Sequence, residues 1–290
     1  MLIFSHQGVT RGKKGYYNHE RSSLMQLRVL GAHNVESRRT RMTSYLVDGA
    51  LALDAGSLTR SLTHDELRGI RAIILSHRHF DHVKDLLPLG IAVRNEGVTI
   101  DVYAIQDTVD AVTETLMNGR LFPNFLALPS EDAPTFRMHT VKLYQPFRVL
   151  GYDVVGVPVY HSVPTAGFQI DDGSVRLFYT GDTGKGLWKA WEHVAPDALL
   201  TEVTFGNENA AGARASGHLT PNMLMDELDK FRATHGRLPE TIITHLNPAW
   251  EDAVRRELAE VSAKSGHQFT IADADMRLDL SRDSMTVVEN

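Results

Sequence analysis

Three imidazoles and a carboxylate crowd into residues 77–82 of the run Ser76-His77-Arg78-His79-Phe80-Asp81-His82. An apolar stretch, Ala72–Ser76, precedes them and reads as a buried strand. His77 and His79 are two apart at the end of this extended run, so both rings point to one side. Asp81 and His82 follow where a helix would begin. Imidazole and carboxylate together suit a divalent transition metal such as zinc, manganese or iron(II). The chain of 290 residues holds 14 histidines and no cysteine. The lack of cysteine excludes disulfides, zinc fingers, iron–sulfur clusters and thiol nucleophiles, but not a metal held by histidine and carboxylate.

The run matches in full the H-x-H-x-D-H signature of the metallo-β-lactamase superfamily, which residues 27–290 resemble. The other motifs of that superfamily follow in order. His161 ends Val154–Tyr160, Asp182 falls in Tyr179-Thr180-Gly181-Asp182-Thr183, and His245 ends Thr241–Thr244. The resemblance implies two metal ions, with zinc the first expectation. His77, His79 and His161 would bind one, Asp81, His82 and His245 the other, and Asp182 would bridge them. A hydroxide shared by the two cations would be the nucleophile, its proton lost near neutral pH. Asp54, in Asp54-Ala55-Gly56, is expected to support a ligand from behind.

Two further stretches narrow the chemistry. Thr201-Glu202-Val203-Thr204-Phe205 and Ser216-Gly217-His218-Leu219-Thr220-Pro221 are similar to elements of ribonuclease Z, in which a carboxylate orients a histidine facing the scissile phosphate. The Gly-His-Leu-Thr-Pro form, with His245-Leu246-Asn247-Pro248, looks more like the class II cyclic-nucleotide phosphodiesterases. The resemblance therefore implies a dinuclear phosphodiesterase for a small, cyclic phosphodiester, with His218, Glu202 and Asp81 as its catalytic residues. His218, kept protonated by Glu202, would donate to the leaving alkoxide. Contacts to substrate are expected from His33, Arg38, Arg120 and Phe122, with Arg39, Arg41 and Phe125 as neighbours of the same kind. A tRNA 3′-processing endonuclease and a lactamase- or thioesterase-type hydrolase are the alternatives. A tRNA substrate is disfavoured because no Gly- and Lys-rich insertion follows Asp81-His82, and residues 119–134 are neither long nor basic.

These residues must be positioned by a sizeable fold. Strand patterns alternate with helical ones, and no linker or repeat interrupts residues 27–290, which predicts a single α/β domain built as a four-layer αββα sandwich. Asp48-Gly49 and Asp172-Gly173 each join two short strands as a hairpin. Thr63 with Glu66 forms a capping box, and Thr220-Pro221 opens a helix that Gly236 ends. Helices are also expected over 81–94, 107–117, 187–193 and 250–264. Residues 1–26 stand apart as a basic arm, flexible or packed on a partner, with Arg11, Lys13, Lys14 and Arg21 against Glu20. The net charge of −6 argues against a surface built to grip nucleic acid throughout. No apolar run is long enough to span a membrane, and no secretory leader is visible, so a cytoplasmic enzyme is expected, with a homodimer carried over from the resembling families.

Overall fold

A computed structural model describes residues 24–288. The chain runs β1 (Met25–Gly31), β2 (Ser44–Val47), β3 (Leu51–Leu53), α1 (Leu58–Ser61), α2 (His64–Gly69), β4 (Ala72–Ile74), α3 (Phe80–Val83), α4 (Leu86–Val93) and β5 (Ile100–Ala104). It continues through α5 (Gln106–Ala111), β6 (Phe136–Thr140), β7 (Phe147–Val149), β8 (Tyr152–Val159), β9 (Thr165–Asp171), β10 (Arg176–Tyr179) and β11 (Ala198–Glu202). The last third holds α6 (Ala210–Ser216), α7 (Pro221–His235), β12 (Glu240–Thr244), α8 (Glu251–Ser265), β13 (Phe269–Ile271), β14 (Arg277–Leu280) and β15 (Met285–Val288).

The strands form an eight-stranded sheet, β15-β14-β1-β2-β3-β4-β5-β6, and a seven-stranded sheet, β13-β12-β11-β10-β9-β8-β7. Alternating side chains fix the layering, because successive residues of a strand face opposite sides. In β4, Ala72 and Ile74 enter the core between the sheets, while Ile73 joins a second core with Leu86, Leu89 and Val93 of α4. In β10 and β11, Leu177, Tyr179 and Leu200 face the central core, while Phe178 and Leu199 meet Leu224, Leu228 and Phe231 of α7. Three apolar interiors separate four layers, so the αββα sandwich expected from the sequence is the fold.

The central strands are parallel: β3 to β6 in one sheet, β10 to β13 in the other. Their carboxyl ends therefore open on the same edge of each sheet, the place where such sheets present ligand-binding loops. The hairpin at Asp48-Gly49 has positive φ at both residues, as the tight turn requires. The capping box at Thr63 and the Pro221 start of α7 form as expected.

Some expectations give way. The helix expected over 81–94 is two helices, because the Asp85 N–H donates to the Ala55 carbonyl at 2.7 Å instead of continuing the spiral, while its carboxylate accepts from the Thr59 backbone and hydroxyl at 2.7 and 2.8 Å. The helix expected at 187–193 is a single tight turn, Leu187–Lys189, tied by Trp188 N–H to Glu227. Residues 1–23 of the expected basic arm lie outside the described residues, whereas Met25 and Gln26 belong to β1, with Met25 fully buried. No helix among the described residues is long and apolar enough to cross a membrane.

Candidate metal centre

The ends of five strands converge on one cluster. His77 follows β4, His161 follows β8, Asp182 follows β10, Glu202 closes β11, and His245 follows β12. His79 caps α3, whose first turn carries Asp81 and His82. His77, His79, His161 and Asp182 place one donor atom each within 4.8 Å of one another, as do Asp81, His82 and His245. The two oxygens of Asp182 divide between the groups. Oδ2 lies 3.7 Å from His77 Nε2 and 3.7 Å from His161 Nε2, and Oδ1 lies 3.3 Å from His82 Nε2 and 3.2 Å from His245 Nε2. All seven side chains read from the sequence thus come together, and Asp182 sits between the two halves.

Three atoms test whether a cation fits. His77 Nε2, His82 Nε2 and Asp182 Oδ1 are buried without a hydrogen-bond partner. Buried polar atoms are otherwise almost always paired, and these three point at the shared centre. The electrostatics agree. Burial, then the neighbouring imidazoles, hold His77, His79 and His161 below the ordinary histidine value, so they are neutral with lone pairs to give. Burial works against charge on Asp182, yet the surrounding imidazoles of His245 and His82 keep it well below the usual carboxylate range. At His82 burial is outweighed by Asp182, Asp81 and Asp54, which raise its pKa well above the ordinary value: three carboxylates seek positive charge there. Divalent cations satisfy all of these demands at once.

A shell of hydrogen bonds orients the rings from behind. Asp54 is fully buried at a left-handed φ of 56° and lies 2.6 Å from His82 Nδ1. It also accepts from the Ser76 hydroxyl at 2.7 Å, and that hydroxyl stands 3.0 Å from His77 Nδ1. His161 Nδ1 donates to the Gly217 carbonyl at 3.0 Å. A Cβ on Gly217 would fall 2.7 Å from His161 Cα, so this close approach requires glycine.

His218 stands beside the cage. Its Nδ1 is 2.6 Å from Glu202 Oε1, and its ring packs 4.9 Å from His161 and 5.4 Å from His245 between centroids. A ring nitrogen of His218 falls within 4.8 Å of donor atoms of Asp182 and His245. Glu202 is fully buried and accepts from the backbone N–H groups of Thr183, Thr204 and Leu219, which satisfies its charge. Burial disfavours the charged ring of His218, but the Glu202 carboxylate prevails and pushes its pKa up to about 9.

The expected substrate contacts fare differently. His33 is buried and pairs through Nε2 with Glu251 at 3.1 Å, so its ring braces α8 against the loop after β1 instead of facing substrate. Arg41 is held by Asp275 at 2.8 Å. Arg38 and Arg120 are exposed. Phe125 is fully buried against Gly90 of α4 and offers no stacking surface, while the half-buried Phe122 packs on the same helical core, so both rings anchor the 119–134 loop. Thr204 was not singled out by the sequence, although it lies two residues past Glu202, a spacing that returns a side chain to the same face of an extended chain.

With this geometry in place, the family follows. Residues 43–245 match the family model described as "Beta-lactamase superfamily domain", and the chain belongs to that family. It is 27% identical over 208 residues to a probable 3′,5′-cyclic-nucleotide phosphodiesterase of Yersinia pestis, covering 63% of this chain and 59% of that relative's length. Among solved structures it is similar to unliganded yeast PDE1, with a TM-score of 0.77, 15% identity, and coverage of 89% of this chain and 99% of the other. Human tRNase Z, short form, superposes with a TM-score of 0.63 at 17% identity, covering 87% and 98% of the respective chains.

Proposed function

We propose that this chain is a metal-dependent phosphodiesterase that hydrolyses a small cyclic phosphodiester, a cyclic nucleotide in the first instance. The observation that carries the reading is the His218–Glu202 pair set against the cage, a protonated imidazole beside the place where a phosphodiester would bind. The Yersinia pestis relative, named for cyclic-nucleotide hydrolysis, supports the choice of substrate. His77, His79 and His161 with Asp182 would hold one divalent cation, and Asp81, His82 and His245 with the other oxygen of Asp182 a second. When bound, such ions supply Lewis-acid stabilisation of phosphoryl charge and a water acidified toward neutrality; nitrogen and carboxylate donors suit zinc, manganese or iron(II).

The chain's own residues perform the remaining tasks. Glu202 takes the Nδ1 proton of His218 into a hydrogen bond, which leaves Nε2 as the atom carrying the transferable proton. As water adds to phosphorus, losing one proton to solvent, and the P–O bond to the leaving alkoxide breaks, His218 Nε2 gives that oxygen its proton. The imidazolium becomes neutral and regains a proton from solvent. Positioned acid catalysis of this kind contributes typically 10²–10⁴-fold. Asp182 and Asp81 stay ionised among the imidazoles, as the directions of their shifts require.

Between α4 and β8 the described residues form β5, α5, a π-helical turn at Val112–Leu116, β6 and β7, and the long loop before β6 is pinned to the helical core by Phe122 and Phe125. This favours the small substrate. The test is a paired turnover assay on one metal-loaded preparation, with 3′,5′-cyclic AMP and GMP in one set and a 3′-extended pre-tRNA in the other. Cyclic-nucleotide hydrolysis with intact pre-tRNA is expected. Cleavage of the pre-tRNA with intact cyclic nucleotides would overturn the substrate proposed.

A further inference from the structure

Thr204 is buried two residues beyond β11, and its hydroxyl touches both the second ligand group and the Glu202–His218 pair. Thr204 Oγ1 donates to Glu202 Oε2 at 2.8 Å and lies 2.8 Å from His245 Nδ1. The His245 carbonyl at 3.1 Å and His218 Nδ1 at 3.3 Å are more distant neighbours of the same oxygen. A hydroxyl has one proton to give. The nearer, charged acceptor takes it, and the oxygen's lone pair is left to accept from His245 Nδ1–H. That choice fixes the tautomer of His245. Its Nε2 then carries the lone pair, and Nε2 is the atom 3.2 Å from Asp81 Oδ2 and 3.2 Å from Asp182 Oδ1.

The same carboxylate holds His218 through its other oxygen. His82 and His161 are each held in one bond, by Asp54 and by the Gly217 carbonyl. His245, like His77 behind the Ser76 hydroxyl, reaches its carboxylate through a relay. We infer that Thr204 is a positioning residue that holds His245 in the metal-ligating tautomer and, through Glu202, ties the second cation's ligand to the proton donor His218. This rests on the metal-dependent hydrolase reading above. Loss of the Thr204 hydroxyl therefore acts at both ends at once: it takes a donor from Glu202, the partner of His218, and the acceptor from His245 Nδ1.

Two substitutions separate this role from packing. Thr204→Val keeps the shape and removes the hydroxyl, whereas Thr204→Ser keeps the hydroxyl and removes the methyl. Full-length wild type and both variants are loaded with zinc, dialysed against a chelator series, and analysed for metal per chain. Thr204→Val should bind one of its two ions about 10–100-fold more weakly, the range for losing a partner behind a ligand, and Thr204→Ser should retain both. A packing role predicts the reverse order, with the serine variant the worse, and that order would overturn the inference. So would a valine variant with wild-type affinity for both ions. If the valine variant fails to fold, the zinc-loaded wild type supplies the reading by NMR. A His245 Nδ1 proton with a cross-peak to the Thr204 methyl is expected, and an unprotonated Nδ1 contradicts the relay. Weakened metal binding in Thr204→Val, found in a protein that hydrolyses no phosphodiester, would sustain the relay while refuting the function proposed above.

Discussion

Glu202→Gln removes the charge that keeps His218 protonated while preserving size. His218 stands at about 9 against an ordinary value of 6.5, a difference worth about 3 kcal/mol between the two protonation states. Without the carboxylate, burial favours the neutral ring and only Asp182 and Asp81 still oppose it, so the variant's His218 should titrate below the wild-type value. At pH 7.5 the protonated fraction then falls from about 97% toward the roughly 10% of an unperturbed ring. The assay compares two classes of substrate at fixed metal loading. A cyclic nucleotide releases an alkoxide and needs the proton. A nitrophenyl phosphodiester releases an anion stable near neutral pH and does not. Glu202→Gln should slow the cyclic nucleotide about 10-fold or more, with less effect on the nitrophenyl ester, and His218→Ala should widen that gap toward 10²-fold or beyond. Equal losses on both substrates would refute the proton-donor role, since they would mean that His218 acts on binding or on the cage. The sign of the linked stability follows. Because the folded pKa is raised, the pair's contribution in chelator-treated protein is fully present below pH 6.5 and is lost as pH rises through about 9. The denaturant midpoint of wild type should decline across that window and that of Glu202→Gln should not.

Three other outcomes are expected. His79→Ala should lose metal and activity together, read by elemental analysis beside turnover, because its ring forms one wall of the first group. Asp54→Asn should keep the fold's packing but weaken metal retention about 10–100-fold, through the loosened His82 and Ser76–His77 contacts. Phe125→Ala should cost about 3–5 kcal/mol in chemical denaturation, since it empties a fully buried site against Gly90, while kcat/KM per folded molecule stays at the wild-type value.

The cage was legible in the sequence because its chemistry is local and its spacing is rigid. Four ligands fall within six residues, and the others stand one after another past apolar strands that a four-layer fold must bring to a common edge. The Glu202–His218 pair was legible through motif resemblance: Thr201–Phe205 and Ser216–Pro221 are similar to ribonuclease Z elements in which a carboxylate orients a histidine. The substrate rim was not. Phe122 and Phe125 lie in a Pro-bounded loop that could close over the site or plug the helical layer, and Gly90, whose missing side chain makes room for the Phe125 ring, lies 35 positions earlier in α4. His33 likewise looked free because Glu251 is distant in sequence. The break after α3 depends on a tertiary bond from the Asp85 N–H to the Ala55 carbonyl that no helical periodicity records. α6 went unread because Ala210–Ser216 is rich in small residues and has no apolar stripe.

The most direct test is a titration of metal-free protein with zinc or manganese while hydrolysis of 3′,5′-cyclic AMP is followed. Activity should be absent without metal, rise with added ion, and level off at two equivalents per chain. Full activity in the metal-free protein, or two tightly bound ions with no hydrolysis of any phosphodiester, would contradict the metal-dependent phosphodiesterase proposed here.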